Sequence, residues 1–321
     1  MNAPSIRAIE YALPAVSRSV RELAADGALE SDPTVLERFG FARVHIAGDE
    51  SPYALAHAAA TRLLAASHVD PSTVGLLVYG GAPSAMAFAS GARAADGAAA
   101  MCTVDRFRSP ASRLQHDLGL DGAAVLALDQ LACTSLFGAL RVARALMLAE
   151  EVQRAVCVAS EFYPARAGRE ALYNCTSDAA CALLLDREGD RNRVAGAATI
   201  TKGYYWDPSA MREEVIASYF PTAVEAIRRT LASAGWHPRD VDWVIPHNVN
   251  VRSWEILLRL SGLCGARLWS RNVARHGHTL AGDNFINLRD AIAEGDVRPG
   301  ERALLFSYGY GAHWTGLAVE A

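Results

Sequence analysis

Short, continuously apolar runs alternate along the chain with longer amphipathic ones. The runs Val74–Tyr79, Ala124–Leu128, Ala155–Ser160, Ala180–Asp186, Trp243–Pro246 and Ala303–Ser307 read as buried strands. Residues 52–66, 134–150, 210–235, 250–261 and 284–294 carry the helical spacing of apolar positions. Strands alternating with helices predict an α/β fold with layered sheets. No apolar run is long enough to span a bilayer.

The pattern repeats. Residues 65–79, AASHVDPSTVGLLVY, and residues 232–246, ASAGWHPRDVDWVIP, each end a helix, set a Pro three residues before a Val, and enter a strand. The pairs are Pro71 with Val74 and Pro238 with Val241. A second pair follows in the same order: Arg154–Ser160 echoes Arg302–Tyr308, and each precedes a last apolar strand, Cys181–Asp186 or Gly316–Glu320. Such self-similarity predicts two halves of one plan, residues 1–190 and 191–321, parted in the charged turn Asp186-Arg-Glu-Gly-Asp-Arg.

Composition narrows the class. The 321 residues are 51% hydrophobic and 21% charged, ordinary for a chain with a sizeable core. A net charge of −4 gives no electrostatic support for nucleic-acid binding. The six Cys form no Cys-x-x-Cys pair, and the N-terminus lacks a signal-peptide pattern. These features predict a reduced, cytoplasmic protein that stays off membranes.

Four stretches carry candidate chemistry. In ALDQLACTSLFGALRVARALM, residues 127–147, a strand ends, a short turn follows, and a helix begins just after Cys133. Unpaired N–H groups at a helix start stabilise a thiolate, and Ala132, Thr134 and Ser135 leave room for a substrate. In VDWVIPHNVNVRSW, residues 241–254, His247 follows the carboxyl end of a buried strand, where catalytic groups of layered folds gather. A nucleophilic Cys needs such a base. In RHGHTLAGDNFINL, residues 275–288, polar residues crowd a helix start. Stepping back 21 residues from Arg154 and from Arg302 reaches Cys133 and Ala281, so this loop and the Cys133 turn hold equivalent places in the two halves. Two halves packed about a pseudo-twofold axis bring both helix starts to one site. The glycines around Tyr310 and His313 in SYGYGAHWTGLAVE, residues 307–320, supply backbone N–H groups suited to an oxyanion.

In this order and spacing the stretches resemble the thiolase superfamily, most closely ketoacyl synthase III. LACTSLFGAL is similar to that family's nucleophile segment, IPHNVNVR to its Pro-His-x-x-Asn-x-Arg segment, RHGHTLAGDN to its Arg-His-Gly-Asn segment, GYGAHWTG to its terminal glycine-rich loop and TSDAACALLLD to its Gly-Asp-Gly-Ala-rich strand. The resemblance covers nearly the whole chain. It implies a thiolase-like five-layer αβαβα fold, a homodimer, and a thioester substrate on coenzyme A or an acyl carrier protein, with no other cofactor. It implies that Cys133 takes the acyl group and that the backbone at Cys133 and Tyr310 forms the oxyanion hole. It also implies that Arg38 and Arg252 contact the pantetheine-bearing carrier and that Phe88 lines the acyl pocket across the dimer.

One departure redirects the chemistry. The family sets an Asn directly after His-Gly, and its amide donates a hydrogen bond to the enolate of a decarboxylating malonyl thioester. This chain has His278 there. Some superfamily members of antibiotic pathways use Cys, His and Asp to acylate a small-molecule acceptor without forming a carbon–carbon bond, and Asp283 is the residue expected to orient His247 as a general base. The expected activity is therefore acyl transfer from the thioester through Cys133 to an O, N or S nucleophile in secondary metabolism. The alternatives are a condensing enzyme in which His278 or Asn284 substitutes for the Asn, a catalytically silent partner subunit, and a metal site of His276, His278 and Asp283.

Overall fold

The computed structural model describes residues 4–81, 107–149, 151–163 and 167–321. Ten strands form its main sheet: β1 (Ser5–Ala12), β2 (Leu76–Gly81), β3 (Ala124–Leu128), β4 (Arg154–Glu161), β5 (Ala179–Asp186), β6 (Arg193–Thr201), β7 (Trp243–Pro246), β8 (Arg267–Leu268), β9 (Arg302–Gly309) and β10 (His313–Glu320). The helices that cover it are α1 (Pro52–Ser67), α2 (Pro110–Asp117), α3 (Ser135–Leu148), α4 (Arg212–Ala234), α5 (Val251–Leu260) and α6 (Asp283–Ala293).

The strand order is β8-β7-β9-β10-β6-β1-β5-β4-β2-β3. From the middle outward one side runs 1-5-4-2-3 and the other 6-10-9-7-8, the same permutation five numbers higher. β2 runs parallel to β3 and β4, as β7 does to β8 and β9, while β5 and β10 close each set antiparallel. The first set ends at Asp186 and the second begins at Arg193. β1 and β6 pair only where Ser5 lies opposite Arg193, with the Val194 N–H donating to Pro4 O at 3.0 Å.

The layers follow from where apolar faces are buried. α1 and α2 cover the outer face of the first five strands, where Ala56, Leu63 and Leu114 meet Leu77, Val156 and Leu184. α4 and α5 cover the outer face of the second five, with Ile227 and Trp254 against Val244 and Phe306. α3 and α6 lie between the halves and share one core with the inner faces of both. The layers are helix, sheet, helix, sheet, helix, a mixed α/β arrangement of the thiolase-like type. Phe137, four residues after Cys133, packs on Phe285, four residues after Ala281, with ring centroids 5.0 Å apart. The two central helices therefore meet through equivalent residues at equivalent turns.

Local sequence accounts for the element ends. Ser51 caps α1 by accepting the Ala54 N–H, and the helix stops at His68 in the left-handed region. The repeated Pro segments form matching 3₁₀ turns, Pro71–Thr73 and Pro238–Asp240, ahead of β2 and β7. β2 starts two residues later than its apolar run, because this turn occupies the backbone up to Val74. The apolar runs missed β1 and β6. β1 alternates polar and apolar residues, because Arg7 and Glu10 pair with Asp186 and Arg289. β6 is built of small residues, because α4 lies close: a Cβ at Gly196 would sit 2.6 Å from Ala234 N. Among the described residues no helix is long and apolar enough to cross a membrane.

Candidate active site

β3 ends at Leu128, and the chain turns sharply before α3. Gln130 and Ala132 have φ of 62° and 45°, left-handed conformations that cost a non-glycine residue about 1–3 kcal/mol. The 3₁₀ turn Ala132–Thr134 follows, held by Thr134, whose Oγ1 and backbone N–H donate to Leu131 O at 2.6 and 3.0 Å. Its counterpart, Leu280–Gly282, also begins on a left-handed residue, Leu280 at φ 57°, and the two turns touch. The hairpin after β9 closes over them. A Cβ at Gly309 would lie 2.4 Å from Leu131 O, so this approach requires glycine. Cys133 is left 8% exposed, on the wall of a cavity of about 840 Å³ whose described lining includes Gln130, Glu161, Tyr163, Leu280 and Tyr310.

His278 Nε2 lies 3.3 Å from Cys133 Sγ, and His278 Nδ1 lies 2.5 Å from Asp283 Oδ2. Asp283 is the first residue of α6 and fully buried. Its Oδ2 also accepts the Asn248 N–H at 2.6 Å, and its Oδ1 accepts the Thr279 N–H and hydroxyl, each at 2.6 Å. Four donors on one carboxyl leave it an acceptor in every contact, so His278 Nδ1 carries a hydrogen and Nε2 faces the sulfur. Burial alone would lower the His278 pKa. Asp283 and Cys133 overcome that and raise it well above the usual histidine value. Burial pushes the Cys133 thiol up, and His278 opposes the shift. The result is a Cys–His–Asp hydrogen-bonded chain in which a carboxylate holds an imidazole against a thiol, an arrangement suited to a proton relay.

The partner expected for Asp283 was His247, and the geometry corrects that. Asp283 faces back along its own chain, through the Leu280–Gly282 turn, to His278, while its contact with the second motif is to the backbone of Asn248. His247 points elsewhere. Its Nδ1 lies 3.3 Å from Phe306 O, and its ring centroid is 6.2 Å from that of His278. A carbonyl only accepts, so Nδ1 carries the hydrogen and Nε2 a lone pair. Burial, with the neighbouring His278 charge, lowers the His247 pKa to about 4. His247 lines a second, narrower cavity of about 250 Å³ with Val249, Tyr219 and Tyr308, and Tyr310 walls both cavities.

The other candidates fall in different places. Asn284 donates its amide to Ile245 O and Phe306 O at 2.8 and 2.9 Å, tying α6 to β7 and β9 instead of reaching the thiol. Arg38 and Arg252 are exposed on adjoining segments joined by the Val251 N–H donating to Phe39 O at 3.1 Å, and Arg252 pairs with Glu255. Asn250 and Ser253, on either side of Arg252, line the narrower cavity. Phe88 lies outside the described residues. Of the alternative metal set, His278 and Asp283 lie together while His276 Nδ1 faces His45 Nε2 at 3.3 Å, and the described residues hold no cluster of three or more metal-donor side chains. Sequence reasoning missed Thr279 and Asn248, which act mainly through backbone N–H groups, and Glu161, an ordinary polar residue after an apolar run.

Residues 231–321 match the family model for 3-oxoacyl-[acyl-carrier-protein] synthase III, C terminal. A β-ketoacyl-[acyl-carrier-protein] synthase III of Streptomyces coelicolor is 32% identical over 242 residues, covering 68% of this chain and 71% of that protein. The crystal structure of 3-oxoacyl-[acyl-carrier-protein] synthase III from Aquifex aeolicus superposes with a TM-score of 0.83 at 20% identity, covering 99% of this chain and all 100% of the other. ChlB3, an acyltransferase, superposes with a TM-score of 0.83 at 20% identity, over 99% of this chain and 98% of its own.

Proposed function

This chain belongs to the ketoacyl-[acyl-carrier-protein] synthase III family, and from that premise we propose that it is an acyltransferase. It moves an acyl group from a coenzyme A or acyl-carrier-protein thioester through Cys133 to an O, N or S nucleophile. The observation that carries the reading is the His278–Asp283 contact, with His278 Nε2 on the Cys133 sulfur.

In the first half-reaction Cys133 Sγ gives its proton to His278 Nε2 and attacks the thioester carbon. The tetrahedral oxyanion meets backbone N–H groups at Cys133 and at the Tyr310 hairpin. The carbon–sulfur bond to the donor breaks, and His278 returns the proton to the departing thiolate. In the second half an acceptor attacks acyl-Cys133, His278 Nε2 takes the acceptor's proton, and Sγ leaves as a thiolate beside the imidazolium. Asp283 stabilises that imidazolium in both halves.

Decarboxylative condensation needs N–H donors aimed at an enolate oxygen. The family's Asn is absent here, and neutral His247 presents a lone pair at Nε2. One observation favours this second reading: protonated His278 would present an Nε2–H in that position. The missing amide donor, together with a relay built for proton removal, supports a role in secondary metabolism over fatty-acid initiation.

We also propose a homodimer joined at the β3 edge. Among the described residues β3 pairs on one side only; it bears no charged residue and exposes Ala124, Leu126 and Ala127. An apolar unpaired edge invites a second strand.

The acyl-enzyme is tested by intact mass. Incubation with acyl-CoA and acyl-carrier-protein thioesters should add the acyl mass to the wild type and nothing to Cys133→Ala. Absence of any adduct across a panel of chain lengths would instead favour a catalytically silent subunit.

A further inference from the structure

The relay leaves two carboxyls in the described lining of the Cys133 cavity unused, Asp129 and Glu161, and only Glu161 joins the turns that build the site. Glu161, the last residue of β4, accepts the Ala281 N–H on Oε2 at 3.3 Å, and its Oε1 lies 3.4 Å from Ser135 Oγ. Ala281 is the counterpart of Cys133, and Ser135 stands two residues beyond Cys133, so Glu161 bridges the two turns that build the site. Ser135 has one hydroxyl hydrogen and donates it to Ala132 O at 2.6 Å. The same hydroxyl can turn to donate to Oε1 of the carboxylate, and its lone pairs accept from the protonated carboxyl. The carboxylate form keeps the Ala281 N–H. Each protonation state has a partner, which is the arrangement of a group that exchanges a proton in place.

The surroundings leave that exchange free. No Lys or Arg is among the described residues lining the cavity, and its titratable lining otherwise comprises Asp129, Cys133, Tyr163, Tyr310 and His313. The charged relay groups His278 and Asp283 act on Glu161 in opposite directions, and Tyr79 of β2 is a further neighbour. Burial raises the Glu161 pKa to about 7, against the pull of the Ala281 N–H, His278 and the Ser135 hydroxyl.

An alcohol brings the second half-reaction one proton to lose, and His278 takes it. An amine arrives as ammonium with two. We propose that the acceptor is a primary amine and that Glu161 takes its surplus proton, a reading that rests on acyl transfer through Cys133. The Glu161 carboxylate removes one proton from R–NH₃⁺ and becomes the acid, hydrogen-bonded to Ser135 Oγ. The free amine attacks the acyl-Cys133 carbon, and the C–N bond forms. His278 Nε2 takes the second proton, and the C–S bond breaks to leave the Cys133 thiolate. Glu161 then returns its proton to water. The two carboxyls of the described lining, Asp129 and Glu161, favour a cationic acceptor over an anionic one.

The test uses acyl-enzyme formed with acyl-CoA, freed of excess donor and mixed with 2-phenylethylamine or with 2-phenylethanol, the same skeleton bearing the other nucleophile. Wild-type acyl-enzyme should lose its acyl mass to the amine at least tenfold faster than to the alcohol, with a rate that rises through about pH 7. Glu161→Gln keeps both hydrogen bonds and loses the titration. It should still form acyl-enzyme, transfer to the amine at least tenfold more slowly, and lose the pH limb. Glu161→Asp keeps a proton acceptor and should recover part of the rate. Equal amine transfer by wild type and Glu161→Gln at every pH overturns the proposal, as does preference for the alcohol or a Glu161→Asp no faster than Glu161→Gln. Failure of the wild type to form any acyl-enzyme overturns acyl transfer itself, and so separates the two readings.

Discussion

At position 283 a carboxylate receives four hydrogen bonds, and an amide could reproduce only those reaching its oxygen. Asp283→Asn would place an N–H against one of these donors and turn His278 toward the wrong tautomer. By analogy with the loss of orienting carboxylates in hydrolytic triads, turnover should fall on the order of 10²–10⁴-fold. Steady-state transfer from acyl-CoA measures this, and an unchanged rate would remove Asp283 from the relay. Glu161 yields a prediction on stability. Burial raises its pKa from 4.5 to about 7, so the folded state holds a proton that the unfolded chain gives up earlier. Stability associated with Glu161 is therefore full below about pH 4.5 and declines as pH rises toward 7. Urea midpoints at pH 5 and pH 8 should show a smaller decline in Glu161→Gln than in the wild type, and parallel declines would contradict the assignment. On its own stretch Cys133 reads first as a buried core thiol, and it stands out only together with the other motifs in their order. The His278–Asp283 pair was not legible in the sequence. Five residues match neither helical nor strand spacing, and the chain doubles back only through a left-handed Leu280.

Elements place these side chains through the two central helices. α3 and α6 begin at equivalent 3₁₀ turns and press Phe137 on Phe285, so the core beneath the site is also its alignment device. Phe285→Ala empties a fully buried site and should cost about 3–5 kcal/mol. It should also lower transfer, because the turn carrying Asp283 loses its support. Denaturant unfolding and kinetics on one preparation read both, and full activity in a destabilised protein would separate packing from alignment. Gly309→Ala drives a methyl against Leu131 O and should cost about 1–3 kcal/mol, lowering the thermal midpoint by a few degrees and slowing acylation of Cys133. The repeat made the equivalence of Cys133 and Ala281 readable before any coordinates, since it needs only strand and helix order. β1 and β6 escaped, because strands that join the halves are bounded by ion pairs and close backbones instead of a continuous apolar run.

At the scale of the whole molecule, the described residues leave the apolar β3 edge without a second strand. Leu126→Arg, at a residue 39% exposed, should convert a dimer to monomer in sedimentation while leaving the fold intact. A wild type that sediments as a monomer would contradict the proposed interface. The thiolase-like architecture was readable from alternation and repetition, because both depend on burial over many residues. The choice between acyl transfer and condensation was not, because it turns on which nitrogen of two histidines carries a hydrogen. That choice is read most directly by mixing the enzyme with carboxyl-labelled malonyl-CoA and malonyl-acyl carrier protein, with and without prior acylation of Cys133, and measuring released CO₂. Acyl transfer through Cys133, His278 and Asp283 predicts an acyl-enzyme and no CO₂ above the Cys133→Ala background; release of one CO₂ per acyl group, with a ketone product, would contradict it.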